Sequence, residues 1–236
     1  VSDILGCSYD EYLSLASAYE GYSEVCDSRI KQAEDAAAAL RAEEERIEQE
    51  DRKSKKLQAI NDAGQRGEAE VRYALDWLGE DTIQIEHNTV NEYGNPCTKL
   101  INTNYKDEAQ EFDHIVIRSN GIFLIETKYY AGSINIDENE NWTQKKKYEE
   151  EKAIRNPSQQ VYRHEKLIKS IIGDDLPLLS LICIANPGCK VNGQENSKVP
   201  VVRVDLLSQY IEEYESSGLK PEDIRFVAQM IREHFH

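Results

Sequence analysis

Two apolar runs flank a turn signal near the middle of the chain: Phe112-Asp113-His114-Ile115-Val116-Ile117-Arg118, then Ser119-Asn120-Gly121, then Ile122-Phe123-Leu124-Ile125-Glu126-Thr127-Lys128. Strand-forming residues on either side of Asn-Gly predict a β-hairpin. With Asn120 and Gly121 as a two-residue loop, Ser119 faces Ile122, Asp113 stands opposite Lys128, and Ile115 stands opposite Glu126. Upstream, Ile83, Ile85 and His87 alternate with polar neighbours and suit a first strand over 83–90, followed by a polar loop over 91–110. Downstream, Ser133–Ile136 and Trp142 onward fit a short strand pair. A helix over about 157–172 follows, starting at Pro157, a residue tolerated in the first turn. Leu178–Ala185 is the most apolar run and reads as a central strand, and Val199–Val204 as another. Helices over about 205–216 and 221–235 close the chain, the second opening on Pro221-Glu222-Asp223. The fold class is therefore α/β, a mixed sheet flanked by helices.

The first 62 residues differ in kind. Residues 29–62 contain no Gly or Pro and are dominated by Ala, Glu, Arg and Lys, with Arg41/Glu45, Glu48/Arg52 and Asp51/Lys55 at i, i+4 spacing, which predicts a long charged helix. A heptad frame through Ala33, Leu40, Ile47 and Leu57 is broken by Glu43, Glu50 and Ser54, too thin a seam for a firm coiled coil; the helix could pack on a partner, and a charged helix held in solvent would look the same. Ahead of it, Tyr9, Tyr12, Leu13, Leu15, Tyr19 and Tyr22 suggest a second short helix that folds back or docks elsewhere. The expected organisation is a helical segment over 1–62, serving docking or homo-oligomer formation, and a core-bearing domain over 63–236.

The chemistry is concentrated on the hairpin. Side chains alternate along a strand, so Glu126 and Lys128 point the same way and Asp113 joins them as a direct or diagonal neighbour, with His114 and Thr127 on the opposite face. Charges set into apolar strands are costly unless paired or bound to metal. Two carboxylates and an ammonium on one face are the minimum for metal-assisted phosphodiester hydrolysis. Asp113 and Glu126 would hold Mg²⁺ (or Mn²⁺) with waters and the Thr127 carbonyl, and Lys128 would orient the attacking water or offset charge growing on phosphate. A plain salt bridge on a solvated sheet face would use the same three residues.

Asp followed by Glu-x-Lys on the next strand resembles the PD-(D/E)XK nuclease core. More narrowly, the chain resembles the nuclease-related domain family through Gly64-x-x-Gly67-Glu68, Phe112-Asp113-His114-Ile115-Val116-Ile117, Gly121 to Lys128, Gly132, Trp142 and Asn156-Pro157-x-x-Gln160, across roughly residues 63 to 172. The resemblance implies a restriction-endonuclease-like sheet and a catalytic set of Asp113, Glu126 and Lys128. It adds Glu68 from the helix before the sheet and Gln160 from the helix after Asn156-Pro157. Phe112 stands where the family often has an uncharged polar or aliphatic residue. Glu68, Val71, Leu75 and Leu78 share one helical stripe whose other members are apolar, which agrees with Glu68 pointing inward. A helix-dipole role for Glu68 and a solvated Gln160 are the bland alternatives.

The formal net charge of −16 argues at first against a polyanionic substrate. Its distribution changes the picture. Residues 1–62 carry net −7, whereas 142–169 carry net +4 through Lys145, Lys146, Lys147, Lys152, Arg155, Arg163, Lys166 and Lys169. Lys145, Lys146, Lys147, Lys152, Arg155 and Arg163 are the candidate nucleic-acid contacts, a local basic rim on an acidic protein; an ordinary solvated surface of mixed charge would look similar. Five cysteines (7, 26, 97, 183 and 189) form neither a CxxC nor an even set, so no disulfide framework or zinc ribbon is indicated. No apolar run spans a membrane, no signal peptide is evident, and the expected compartment is the cytoplasm; the first residue is Val1, which leaves an upstream segment open. Nucleotide-binding GxxxxGK[ST], hydrolase GxSxG and dinucleotide GxGxxG motifs are missing. The leading expectation is a Mg²⁺-dependent endonuclease acting on DNA, with RNA open, in bacterial DNA processing or antiphage defence. The alternative is a nucleic-acid-binding or scaffold subunit that keeps the fold without cleavage.

Overall fold

The computed structural model describes residues 8–103 and 109–236. Cys7 and part of the expected 91–110 loop lie outside the described residues. A single helix, α1, runs Tyr9–Leu75, and the chain divides into compact units at Leu57/Gln58.

The first unit is helical from Tyr9 onward. The short N-terminal helix expected as a separate element is instead continuous with the charged one, because nothing between them breaks a helix: Gly21 is the lone weak former, and no atom lies within 4 Å of its absent side chain. Ser8 and Glu11 form a capping box, with the Glu11 N–H donating to Ser8 Oγ (3.3 Å) and the Ser8 N–H to Glu11 Oε2 (2.8 Å). Glu48–Arg52 and Asp51–Lys55 pair as expected at 2.6 and 2.7 Å. Arg41 and Glu45 do not; Arg46 takes that role with Glu43 and Glu50. Each exposed pair contributes only about 0.3–0.5 kcal/mol. Tyr12, Tyr19, Leu40 and Ile47 are all exposed.

The second unit is mixed α/β. Its strands are β1 (Ile83–Gln84), β2 (Thr89–Val90), β3 (Pro96–Leu100), β4 (Gln110–Phe112), β5 (His114–Arg118), β6 (Gly121–Lys128), β7 (Ser133–Ile136), β8 (Trp142–Lys145), β9 (Lys152–Ile154), β10 (Leu178–Ile184), β11 (Lys190–Asn192) and β12 (Val201–Arg203), and its later helices are α2 (Ser158–Ile172), α3 (Leu207–Glu212) and α4 (Pro221–Arg232). The main sheet has the order β1-β5-β6-β10-β12, antiparallel up to β6 and parallel from β6 to β12. Smaller sheets, β11-β7-β8-β9 and β2-β3-β4, flank it.

Alternation along β5 and β6 decides the two cores. Ile115, Ile117, Ile122 and Leu124 bury against Leu167, Ile168 and Ile171 of α2 and Ile224, Val227 and Ile231 of α4. Val116, Phe123 and Ile125 point the other way, onto Val71, Ala74 and Leu75 of α1 and Leu207 and Ile211 of α3. A third cluster seats Trp142 with Ile134, Ile136, Val161, Ile182 and Ile184, joining the second sheet to α2 and β10.

The hairpin forms with a different register. Arg118 pairs with Gly121, so Ser119 and Asn120 make the turn and every partner shifts by two. The turn residues are held by tertiary bonds: Ser119 Oγ donates to Asp81 (2.7 Å), and Asn120 Nδ2 donates to the carbonyls of Ile211 (2.6 Å) and Tyr214 (3.1 Å). Gly121 enters the strand at φ 149°, where a Cβ would lie 3.3 Å from Pro177 O and from the Tyr214 ring. A shift of two preserves which residues share a face.

The expected strand over 83–90 is two short pieces, because the chain turns at His87 and Asn88 to bond Asp113 and Lys99 rather than a ladder partner. The expected loop over 91–110 contains β3, whose Cys97, Thr98 and Leu100 are buried. The helix expected over 205–216 is a 3₁₀ turn, Val204–Leu206, followed by α3.

Candidate active site

Asp113 sits at a bend between β4 and β5, at the end of the hairpin where both strands meet α1 and α2. Its Oδ2 accepts the Thr127 N–H at 2.7 Å, so the carboxylate closes the cross-strand contact in place of a backbone acceptor. Glu126, 3 % exposed, accepts from Lys128 Nζ through Oε1 at 2.5 Å. Its other oxygen, Oε2, is buried without a hydrogen-bond donor and lies 3.6 Å from His164 Nδ1.

Two glycines bring α1 to this point. A Cβ on Gly67 would stand 3.2 Å from Thr127 Cγ2 and 3.3 Å from Tyr129 Cβ, and one on Gly64 would overlap Asn95 Nδ2 at 2.3 Å. With no side chains there, the helix lies flush on the strand ends, and Glu68 enters the buried layer at 7 % exposure. Glu68 Oε2 lies 2.9 Å from His114 Nε2, out of line for a hydrogen bond. From the opposite side, Asn156 Oδ1 accepts the Ser158 N–H (2.9 Å) and starts α2 so that Gln160 faces the hairpin end.

Glu68, Asp113, Glu126, Thr127, Lys128, Arg155 and Gln160 all line one cavity of about 390 Å³, together with Asn91, Glu92, Asn95 and Glu111. A second cavity of about 390 Å³ abuts it, sharing Gln160 and Glu111 and adding Lys99, Gln110, Arg163 and His164. Lys145, Lys146 and Lys147 stand exposed on β8 and the turn after it, and Lys152 opens β9 and pairs with Glu149 at 3.3 Å; these four line neither cavity.

The electrostatics follow from burial and from unequal numbers of charges. Burial raises the Asp113 carboxyl well above the ordinary range, and Glu126 and Glu68 push it further, against Lys128 and the Thr127 N–H. Burial likewise raises Glu126, opposed by Lys128. Desolvation pulls the Lys128 amine down, but Glu126 and Asp113 outweigh it and its pKa ends raised, so it stays charged. His164 is held at about 3 by burial, then by Lys128 and Arg163, and is a neutral imidazole at neutral pH. It stacks on Phe112 at 4.4 Å between ring centroids.

Five acidic side chains, Glu68, Glu92, Glu111, Asp113 and Glu126, thus share the cavity with two cations, Lys128 and Arg155. Oxygen donors in an excess of acidic groups, with Glu68 Oε2 and Glu126 Oε2 both buried without a donor, suit a hard divalent cation. Asp113, Glu126 and the Thr127 carbonyl are the group that fits it, with waters completing the shell; no cluster of three or more His, Cys, Asp or Glu side chains arranged to hold a metal occurs among the described residues.

The Nuclease-related domain (NERD) family model matches residues 63–185, just over half the chain. The chain belongs to the NERD family. The match spans every NERD motif described above, from the glycines of α1 to Gln160. An uncharacterized protein of Bacillus anthracis is 30 % identical to this NERD chain over 172 residues, covering 71 % of this chain and 74 % of that protein. No solved structure matches the chain. No helix among the described residues is long and apolar enough to cross a membrane.

Sequence reasoning passed over His114, His164 and Lys99. His164 lies four residues after Gln160 on the same helical face, a spacing that marks it. His114 was assigned to the far face, where it does lie; its bearing on the site comes from Glu68 arriving on that face from α1.

Proposed function

We propose that this NERD protein is a divalent-metal-dependent nuclease that hydrolyses phosphodiester bonds of DNA. The observation that carries the reading is the convergence of Asp113, Glu126 and Lys128 on one cavity whose acidic side chains outnumber its cations. Asp113, Glu126 and the Thr127 carbonyl would hold Mg²⁺ or Mn²⁺. Bound there, the ion would supply a Lewis acid and a water of lowered pKa. Lys128, beside Glu126, would donate to the attacking water or to a phosphate oxygen. Glu68, buried beside His114, would accept a proton or steer a water. Gln160 would orient the phosphate, and Arg155 would draw the strand to the mouth of the cavity.

The NERD fold over 63–236 would work with the helical segment 1–62 as a recruitment or oligomerisation arm, in a cytoplasmic DNA-processing or antiphage defence assembly. Cleavage of supercoiled plasmid and of single-stranded DNA with Mg²⁺ or Mn²⁺, beside Asp113→Asn and Lys128→Met, tests the activity. Metal-dependent cleavage lost in both variants is the expected result. Cleavage that persists in both overturns the assignment, and salt-sensitive DNA binding with no cleavage in any metal favours a binding subunit instead.

A further inference from the structure

The chain carries 44 acidic residues against 28 Lys and Arg. Arg118, Lys152, Lys169, Lys198, Arg203 and Arg232 form ion pairs. Lys99, Arg155 and Arg163 make none among the described residues, as Lys166, Lys190, Lys220 and Arg225 on the open surface do not; what sets the three apart is that, with the Glu126-paired Lys128, they line the two abutting cavities. Lys99 is directly opposite Glu111 in the β3–β4 ladder, yet no ion pair forms between them. Beside Lys99 and Arg163, Gln110 keeps its Oε1 buried without a donor, and Gln160 borders both cavities.

We infer that the second cavity is a subsite for the backbone phosphate neighbouring the one that is cut. Lys99 and Arg163 hold that phosphate as point charge and fork, and the Gln160 amide donates beside them. Glu111, which lines both cavities, is the one carboxylate among the described residues that line the second. It opposes the anion, and so leaves the subsite weaker than an all-basic pocket and dependent on a strand already engaged next door. Successive phosphates along one strand are the ligand that offers two anions at such neighbouring positions, so the chemical class is an oligonucleotide strand rather than a lone phosphate ester. The inference rests on the nuclease reading and extends it by a residue, Lys99, from a part of the chain that carries no family motif.

The test is the salt dependence of binding of a fluorescein-labelled thymidine oligonucleotide, followed by anisotropy in Ca²⁺, with plasmid cleavage in Mg²⁺ measured in parallel. Lys99→Gln is expected to weaken binding roughly tenfold, as for loss of one charge-assisted contact. It is also expected to flatten the slope of log affinity against log salt by about 0.7, the value for one single-strand phosphate contact. Lys99→Arg should restore the slope, and an unchanged melting temperature excludes a folding effect. Arg163→Gln is expected to behave as Lys99→Gln does. A wild-type chain that binds and cuts, with Lys99→Gln giving the same slope, overturns the subsite and leaves the nuclease reading standing. A wild-type chain that neither binds nor cuts removes the nuclease reading and the subsite with it.

Discussion

Asp113→Asn is expected to make the metal-free protein more stable while abolishing cleavage. The carboxylate is held above its ordinary range by burial and by Glu126 and Glu68, so ionising it in the folded chain costs free energy that the unfolded chain does not spend. Asparagine keeps an oxygen for the Thr127 N–H, 2.7 Å away, and removes the charge. Relief of this kind at a functional site is worth about 0.5–2 kcal/mol, and for a domain of this size each kcal/mol moves Tm by roughly 2–4 °C. The sign with pH follows from proton counts. Between the unfolded carboxyl value and the raised folded one, the native chain binds more protons than the unfolded chain, so wild-type stability falls as pH rises through that window. In Asp113→Asn this part of the slope disappears. A divalent cation reverses the penalty: at ten times its Kd, Mg²⁺ stabilises the wild type by about 1.4 kcal/mol, and the variant by less. Urea unfolding in EDTA and in Mg²⁺, from about pH 5 to about pH 8, measures all three effects. A variant less stable than wild type in EDTA by more than about 1 kcal/mol, or one with an unaltered pH slope, would refute the account of a site strained by unbalanced carboxylates.

Three further outcomes follow from the packing. Gly67→Leu forces a side chain where a Cβ already meets Thr127 at 3.2 Å; it is expected to lose about 1–3 kcal/mol in urea melts and to abolish cleavage by moving Glu68 outward. Trp142→Ala, at a residue 1 % exposed, is expected to cost about 3–5 kcal/mol by the same measurement; a loss under about 1 kcal/mol would mean that the second sheet is not docked through this ring. His164 is neutral when folded, so as pH falls from its ordinary 6.5 toward about 3 the unfolded chain takes up a proton that the native one refuses, and stability drops; in His164→Gln acid unfolding should be shallower over that range, with the alkaline side unchanged.

The hairpin and its shared charged face were legible because strand alternation has a strict period and Asn-Gly marks a turn. The register was not, since it depends on Asn120 reaching the carbonyls of Ile211 and Tyr214, about ninety residues away in sequence. β3 was hidden because its buried face includes Thr98 and is followed by buried Asn102, polar residues that read as loop until their partners are in place. Gly64 and Gly67 were recognised as a motif, but their reason, a helix lying flush against Thr127 and Tyr129, exists only in three dimensions. Lys99 carried no signal at all: its place beside Arg163 on the second cavity follows from the β3–β4 pairing and exists only in three dimensions.

In a nuclease of the kind proposed Asp113 would do two jobs, since its carboxylate also caps the amide of Thr127 where the ladder would otherwise leave a buried donor unmet. Deleting the side chain would therefore expose an orphan amide worth roughly 1–3 kcal/mol. A lineage that abandons hydrolysis remains under pressure to keep a short acceptor at this position, so an Asn there would mark a retired enzyme more cleanly than an Ala, and an intact Asp is weaker testimony to activity than an intact Lys128.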